Sequence, residues 1–188
     1  MSEIILFHHA QGLTDGVRAF ADELRAAGHT VHTPDVYDGK TFDTLEDGIA
    51  YAKEIGFGTA LERGVAAAEG LSAEMVYAGF SLGAMPAVKL AITRPGVKGV
   101  ILMHSVAPPS ELGDAWPGCV PLQMHSKEAD DWGDADVARE MADTIPGAEL
   151  HLYPGDRHLF SDRSLSDYEQ ESAALLMQRV LAFLDAAG

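Results

Sequence analysis

Three side chains far apart in this sequence could together cut an acyl bond. Ser81 sits at the centre of Gly79-Phe80-Ser81-Leu82-Gly83, after the apolar run Met75-Val76-Tyr77-Ala78 and before a helix-forming run with Pro86 near its start. That order reads as strand, sharp turn and helix, with the hydroxyl at the apex. A nucleophile on such a turn occupies strained backbone, so the residues two before and two after it crowd together and must be very small. Gly79 and Gly83 meet that demand. The turn also aims the backbone N–H of Leu82, at the start of the helix, toward the place where an oxyanion would form.

A serine needs a base within hydrogen-bond reach, and the base needs a carboxylate to orient it. The chain after Ser81 offers both in the order acid, then histidine. Asp130 or Asp131 supplies the acid, in an acidic loop from Ser126 to Asp134, and His158 supplies the base, in Pro154-Gly155-Asp156-Arg157-His158-Leu159-Phe160. His8 and His9 precede the loop Ala10-Gln11-Gly12-Leu13, which should donate a second oxyanion N–H from Ala10 or Gln11. Phe42, Trp116, Trp132 and Phe160, with His9, are candidate walls of a shallow substrate pocket. His104 and His125 follow strands and read as structural hydrogen-bonders beneath such a site. His29 and His32 read as surface or turn residues, and His151 as a solvent-side or packing residue. Cys119 precedes a strand, at the wrong end for chemistry, and reads as inert.

The elements that must position these groups follow from periodicity and punctuation. Strands are expected at Ile4–Phe7, Thr30–Thr33, Met75–Ala78, Val97–Met103, Val120–His125 and Ala148–Tyr153. Helices are expected from Thr14 or Asp15 to Ala27, Leu45–Ile55, Thr59–Glu69, after Ser81 to Arg94, Val137–Thr144 and Asp167–Ala186. Alternating strands and helices imply parallel crossovers in one sheet with helices on both faces. In such a sheet ligands bind outside the carboxyl ends of the strands, which is where Ser81, the acidic loop and His158 fall.

The totals agree with one globular domain over residues 1–188. A net charge of −16 disfavours nucleic acid and anionic membrane surfaces as partners. The single cysteine excludes an internal disulfide and fits a reducing compartment; with no leader-like segment and no run long enough to span a bilayer, the expected location is cytoplasmic. The sequence leaves a homodimer open.

With these residues in view, the chain resembles the dienelactone hydrolase family of the α/β-hydrolase superfamily along nearly its whole length. The resemblance is carried by the opening IILFHHAQGL, the segment AAGHTVHTPDVYDG, the elbow GFSLGA, the loop around Ala129-Asp130, and YPGDRHLF with the final helix. It implies a three-layer α/β-hydrolase-type fold with a mostly parallel sheet and no lid domain. It also implies a hydrolase of esters or lactones of small organic acids that needs neither metal nor organic cofactor. By position Ser81 takes the nucleophile's place, Asp130 the acid's and His158 the base's, while the loop at Ala10 and Gln11 takes that of the oxyanion donor beside Leu82. The best-known members carry cysteine where Ser81 stands, and a glutamate where this chain has His9-Ala10-Gln11. No arginine here matches the one that would grip a substrate carboxylate.

Two other classes fit parts of the same pattern. A metal-dependent hydrolase would use His8, His9, His104, His125 and Asp130 as ligands, although no tight ligand spacing is present. A non-catalytic ligand-binding α/β domain would carry the three residues as a vestige.

Overall fold

The computed structural model describes residues 1–118 and 120–188, so the expectation for Cys119 lies outside the described residues. Six strands form one sheet in the order β2-β1-β3-β4-β5-β6, and every neighbouring pair is parallel. In chain order they are β1 (Glu3–Phe7), β2 (Thr30–His32), β3 (Val76–Phe80), β4 (Gly99–Met103), β5 (Leu122–Lys127) and β6 (Glu149–Tyr153). The helices are α1 (Asp15–Ala26), α2 (Leu45–Ile55), α3 (Phe57–Ala67), α4 (Ala84–Thr93), α5 (Ala135–Thr144) and α6 (Gln170–Ala187).

The central strands read as near-continuous apolar runs because both faces are covered. Alternate residues go to opposite sides. Ile4, Leu6, Val76, Ala78 and Ile101 pack under α1 and α6, with Val17, Phe20, Leu24, Leu176 and Phe183. Ile5, Phe7, Tyr77, Val100 and Leu102 pack on the other face, with Ala87 and Leu90 of α4 and Ala138 and Met141 of α5. A third, smaller cluster joins Val36 and Tyr37 to Ala52 of α2 and Ala60 of α3. Thr14 caps α1 by accepting from the N–H of Val17, and Thr44 caps α2 by accepting from that of Asp47. Pro86 is accommodated in the first turn of α4, where no intrahelical N–H is required of it.

One polar row interrupts this pattern. Gln123, His125 and Lys127 of β5 are buried on the α6 side. His125 lies between Tyr153 Oη and Gln123 Oε1, at 2.8 and 2.9 Å, as a satisfied structural residue. His29, expected at the surface or in a turn, lies in the connection between α1 and β2 but is buried, and its Nδ1 accepts the N–H of Ser2. The cause is that the chain start folds back over the α1–β2 turn. His32 is half-exposed and faces Glu3 at 2.8 Å, and His151 is partly exposed beside Glu149. Among the described residues no helix is long and apolar enough to cross a membrane.

Candidate active site

The carboxyl ends of β1, β3, β4, β5 and β6 converge on Ser81. The turn after β3 gives this residue φ +47°, a left-handed conformation that a non-glycine residue adopts only under constraint. The constraint is visible in its neighbours. A Cβ on Gly79 would lie 2.1 Å from the carbonyl oxygen of Gly83, and one on Gly83 would lie 2.5 Å from that of Phe7. No other residue type fits at either position. The expected strand, turn and helix are therefore present with the packing that the two glycines imply.

Ser81 Oγ lies 2.8 Å from His158 Nε2, and His158 Nδ1 lies 2.6 Å from Asp130 Oδ2. His158 and Asp130 are buried at 4% and 6% exposure, so bulk water does not compete for the hydrogen bond between them. The second oxygen of Asp130 accepts the N–H of Trp132 at 2.9 Å, which locks the carboxylate plane. Gly133 lets the loop close over it: a Cβ there would lie 2.7 Å from Asp130 Oδ2 and 3.0 Å from the carbonyl oxygen of His104. Asp131 is exposed, and it is Asp130 that the geometry brings against His158.

The loops carrying Asp130 and His158 are tied directly to each other. Glu128 N–H donates to the carbonyl of Tyr153, and Ala129 N–H to that of Gly155. Beneath them Lys127 has a fully buried side chain whose Nζ donates to the Pro154 carbonyl, to Ser172 Oγ and to Glu169. The Lys127 ammonium holds the Glu169 carboxyl below the usual range. Nothing in the sequence points to this brace: Lys127 falls in the acidic loop expected from Ser126 to Asp134, where a lysine is ordinarily solvated.

His104, buried with φ +74°, hydrogen-bonds Ser161 Oγ at 2.8 Å and stacks on Phe80. Burial pushes its pKa well below the ordinary value. His8 braces the loop after β2, with Nδ1 donating to the His9 carbonyl and Nε2 accepting the N–H of Val36. Its pKa is lowered to about 4, chiefly by burial. Among the described residues, His8, His9, His104, His125 and Asp130 do not converge, and no group of three or more such side chains is placed to hold a metal.

A cavity of about 500 Å³ opens over Ser81, lined by Ala10, Leu82 and His158 among others. Ile49, Met85, Val106 and Leu112 make its walls apolar, and the exposed side chains of Phe57 and Trp132 stand at its mouth. Trp132 is thus a wall, as expected. The other expected walls are not. Phe160 is fully buried in the core beside Tyr153 and His104. Phe42 packs on Tyr37 and Tyr51, and its backbone pairs with Gln11. Trp116 faces a separate groove and donates to the carbonyl of Val120. His9 is wholly buried under the cavity floor. In each case the side chain found an apolar or hydrogen-bonded niche that sequence order cannot reveal. The missed walls Ile49, Lys53 and Phe57 come from α2 and the start of α3, where an amphipathic helix gives no sign of which neighbour it faces.

Of the expected oxyanion donors, Ala10 and Leu82 line the cavity and their N–H groups have no partner among the described residues. Gln11 is different. Its N–H is taken by His9 Nδ1 at 3.2 Å, so it is not free to serve a substrate.

The sequence matches the dienelactone hydrolase family over residues 1–188. The chain belongs to that family. No curated protein matches it by sequence. Among solved structures, it is similar to a dienelactone hydrolase from Anabaena variabilis ATCC 29413, at 18% identity and TM-score 0.71, covering 98% of this chain and 86% of that one. It is also similar to a dienelactone hydrolase-like promiscuous phosphotriesterase from metagenomic libraries, at 16% identity and TM-score 0.74, with 98% and 86% covered. An esterase, PE8, matches at 22% identity and TM-score 0.66, with 100% and 93% covered. At these identities the neighbours establish the α/β-hydrolase architecture, and the family match establishes a hydrolase family. Within this dienelactone hydrolase family member, six parallel strands with helices around them make up the fold, and no lid is evident among the described residues.

Proposed function

We propose that this family member is a serine hydrolase that cleaves small, uncharged esters or lactones through an acyl-serine intermediate. The observation that carries the reading is the unbroken line from Ser81 Oγ to His158 to Asp130 on the floor of an open, largely apolar cavity. In this reading His158 Nε2 takes the proton of Ser81 as Oγ attacks the acyl carbonyl. The N–H groups of Ala10 and Leu82 receive the oxyanion, and the imidazolium then protonates the leaving alkoxide. Water repeats the sequence on the acyl-serine and regenerates the hydroxyl. Asp130 holds the imidazole in the tautomer whose Nε2 is free to accept, and stabilises its charged form. No step calls for a metal or an organic cofactor.

The lining favours a neutral substrate. Lys53 is outweighed by Glu111 and Asp134 at the same cavity, so a substrate carboxylate would meet net repulsion. The reducing-compartment signature of a single cysteine supports a cytoplasmic setting.

The deciding experiment is labelling with a fluorophosphonate followed by peptide mapping, with a panel of p-nitrophenyl esters and simple lactones on the same preparation. Labelling at Ser81, and a loss on the order of a million-fold in turnover for Ser81→Ala, are expected. An unlabelled Ser81 together with undiminished turnover in Ser81→Ala would refute the reading.

A further inference from the structure

The site contains a second buried histidine–aspartate pair that the proposed reaction does not use. His9 is wholly buried, Asp162 is 3% exposed, and Nε2 of the one lies 2.9 Å from Oδ2 of the other. The Asp162 carboxylate also accepts from Thr14 Oγ1, from the Ser164 N–H at 2.8 Å and from Ser164 Oγ at 2.6 Å. Burial alone would raise the pKa of Asp162, but donation by His9, Ser164 and Thr14 outweighs it and lowers it. Asp162 therefore has no proton to give. The hydrogen between it and His9 must sit on Nε2, which leaves Nδ1 as a bare acceptor. That acceptor takes the N–H of Gln11.

The consequence falls on one peptide plane. With the Gln11 N–H drawn inward to His9, the Ala10 carbonyl on the opposite side of the same plane must turn outward. It does: that oxygen points at Gly48 of α2, where a Cβ would come within 2.2 Å of it. The neighbouring residues are fixed as well. Gly12 N–H donates to the His9 carbonyl, and Gln11 and Phe42 exchange two bonds, Phe42 N–H to the Gln11 carbonyl and Gln11 Nε2 to the Phe42 carbonyl, each 3.0 Å. Ala10 is the residue of this loop that lines the cavity, and its N–H has no partner among the described residues.

The geometry points to His9 as a positioning residue, oriented by Asp162, that fixes the Ala10–Gln11 peptide and, through the backbone of Ala10, the adjoining His9–Ala10 peptide whose N–H meets the oxyanion. This rests on the serine hydrolase reading and adds to it the device by which one half of the oxyanion hole is built. The His9 imidazole thus reaches backward into the scaffold rather than toward the nucleophile.

Two amide replacements separate the two bonds of the ring. In His9→Asn the side-chain oxygen falls near the position of Nδ1 and can still accept from Gln11, while contact with Asp162 is lost. In His9→Gln the amide reaches Asp162, but nothing accepts from Gln11. The expected result, with p-nitrophenyl acetate well below either melting temperature, is that His9→Gln lowers kcat about 100-fold with KM changed less than about threefold, the effect of one oxyanion donor. His9→Asn should stay within about tenfold of wild type. Equal losses in both variants that track equal losses of Tm would overturn the inference, as would a His9→Gln enzyme with wild-type kcat. Nitrogen-15 NMR of the unmutated protein tests the same point without relying on a variant's folding. A His9 ring protonated at Nε2 and bare at Nδ1 is expected, and the reverse tautomer would sink the proposal. If wild type itself fails to label at Ser81, the hydrolase reading falls; if it labels normally and His9→Gln is silent, only the positioning role does.

Discussion

His158–Asp130 and His9–Asp162 are near-copies in composition and burial, yet they face different things. In the first, Nδ1 is bound to the carboxylate and Nε2 faces a hydroxyl under an open cavity. In the second, Nε2 is bound to the carboxylate and Nδ1 faces a backbone N–H beneath the floor. A carboxylate fixes an imidazole's tautomer either way. Whether the free nitrogen then does chemistry or geometry depends on what it meets: a hydroxyl that can pass its proton to the ring as it attacks, or an amide N–H that keeps its own. The lesson is that a buried histidine–aspartate pair is not by itself a catalytic sign. The partner of the other nitrogen decides.

The sharpest way to break this comparison is at the first pair. In Asp130→Asn the imidazole loses its acceptor and is free to take the wrong tautomer, so kcat should fall on the order of ten-thousand-fold with little change in folding. The matched control is Asp131→Asn, one residue along on the exposed side of the loop, which should leave kcat as it is. Steady-state kinetics on an activated ester reads both. Loss in the second and retention in the first would place the acid one residue on and undo the geometric assignment.

Much of the first pair could be read before any coordinates, and almost none of the second. Ser81 announces itself through Gly79 and Gly83, and the acid and base follow in the order a parallel sheet requires. Strands β1, β3 and β4 are short apolar runs followed directly by His8, Ser81 and His104, and β6 by Pro154, so their ends, and hence the residues that share an edge, follow from local sequence. His9–Asp162 spans 153 positions and depends on the α6-side loop from Leu159 to Ser164 folding back onto Thr14. Nothing periodic links those segments. The same holds for the walls. Trp132 could be placed because it sits two residues from the acid, whereas Phe42, Trp116 and Phe160 were drawn into niches set by packing at a distance. Residues next to the chemistry in sequence were legible, and residues brought to it by tertiary contact were not.

A second test strikes the scaffold side of the comparison without touching either histidine. Gly48 lies where a Cβ would meet the carbonyl oxygen of Ala10 at 2.2 Å and its carbon at 2.6 Å. Gly48→Ala must therefore push the loop or the helix by about an ångström. A fall in kcat of about 100-fold is expected, from displacement of the Ala10 N–H. A stability cost of about 1–3 kcal/mol should accompany it, as for other small-to-large changes in close packing. If kcat holds while stability falls, the carbonyl can swing without moving the N–H, and the link drawn between that peptide and the oxyanion is broken.

The last test asks what the shared burial of these rings costs the fold in acid. Burial lowers the pKa of His8 to about 4, and that of His9, His104 and His125 in the same direction. Asp35 lies 3.7 Å from His8 Nε2 and opposes the shift, as Asp162 does for His9, but neither overcomes desolvation. A ring held neutral when folded takes up a proton near pH 6.5 once unfolded. The unfolded chain then binds more protons, and stability is lost as the pH falls below that value. For His8 alone the loss grows by about 1.4 kcal/mol per pH unit, reaches about 2 kcal/mol at pH 5 and levels off near its folded value. Asp162 and Glu169, shifted the other way, act only from about the usual carboxylate range downward, so the window between pH 6.5 and about 5 belongs to the histidines. Urea denaturation at pH 7.5, 6 and 5 should show a falling midpoint with unchanged slope, and net uptake of more than one proton on unfolding. In His8→Gln the decline should be shallower by about one proton. A midpoint that does not move across that range would mean that the rings charge freely in the folded state. A charged His9 has no bare Nδ1 with which to hold Gln11, so the second pair would then lose the property that distinguishes it from the first.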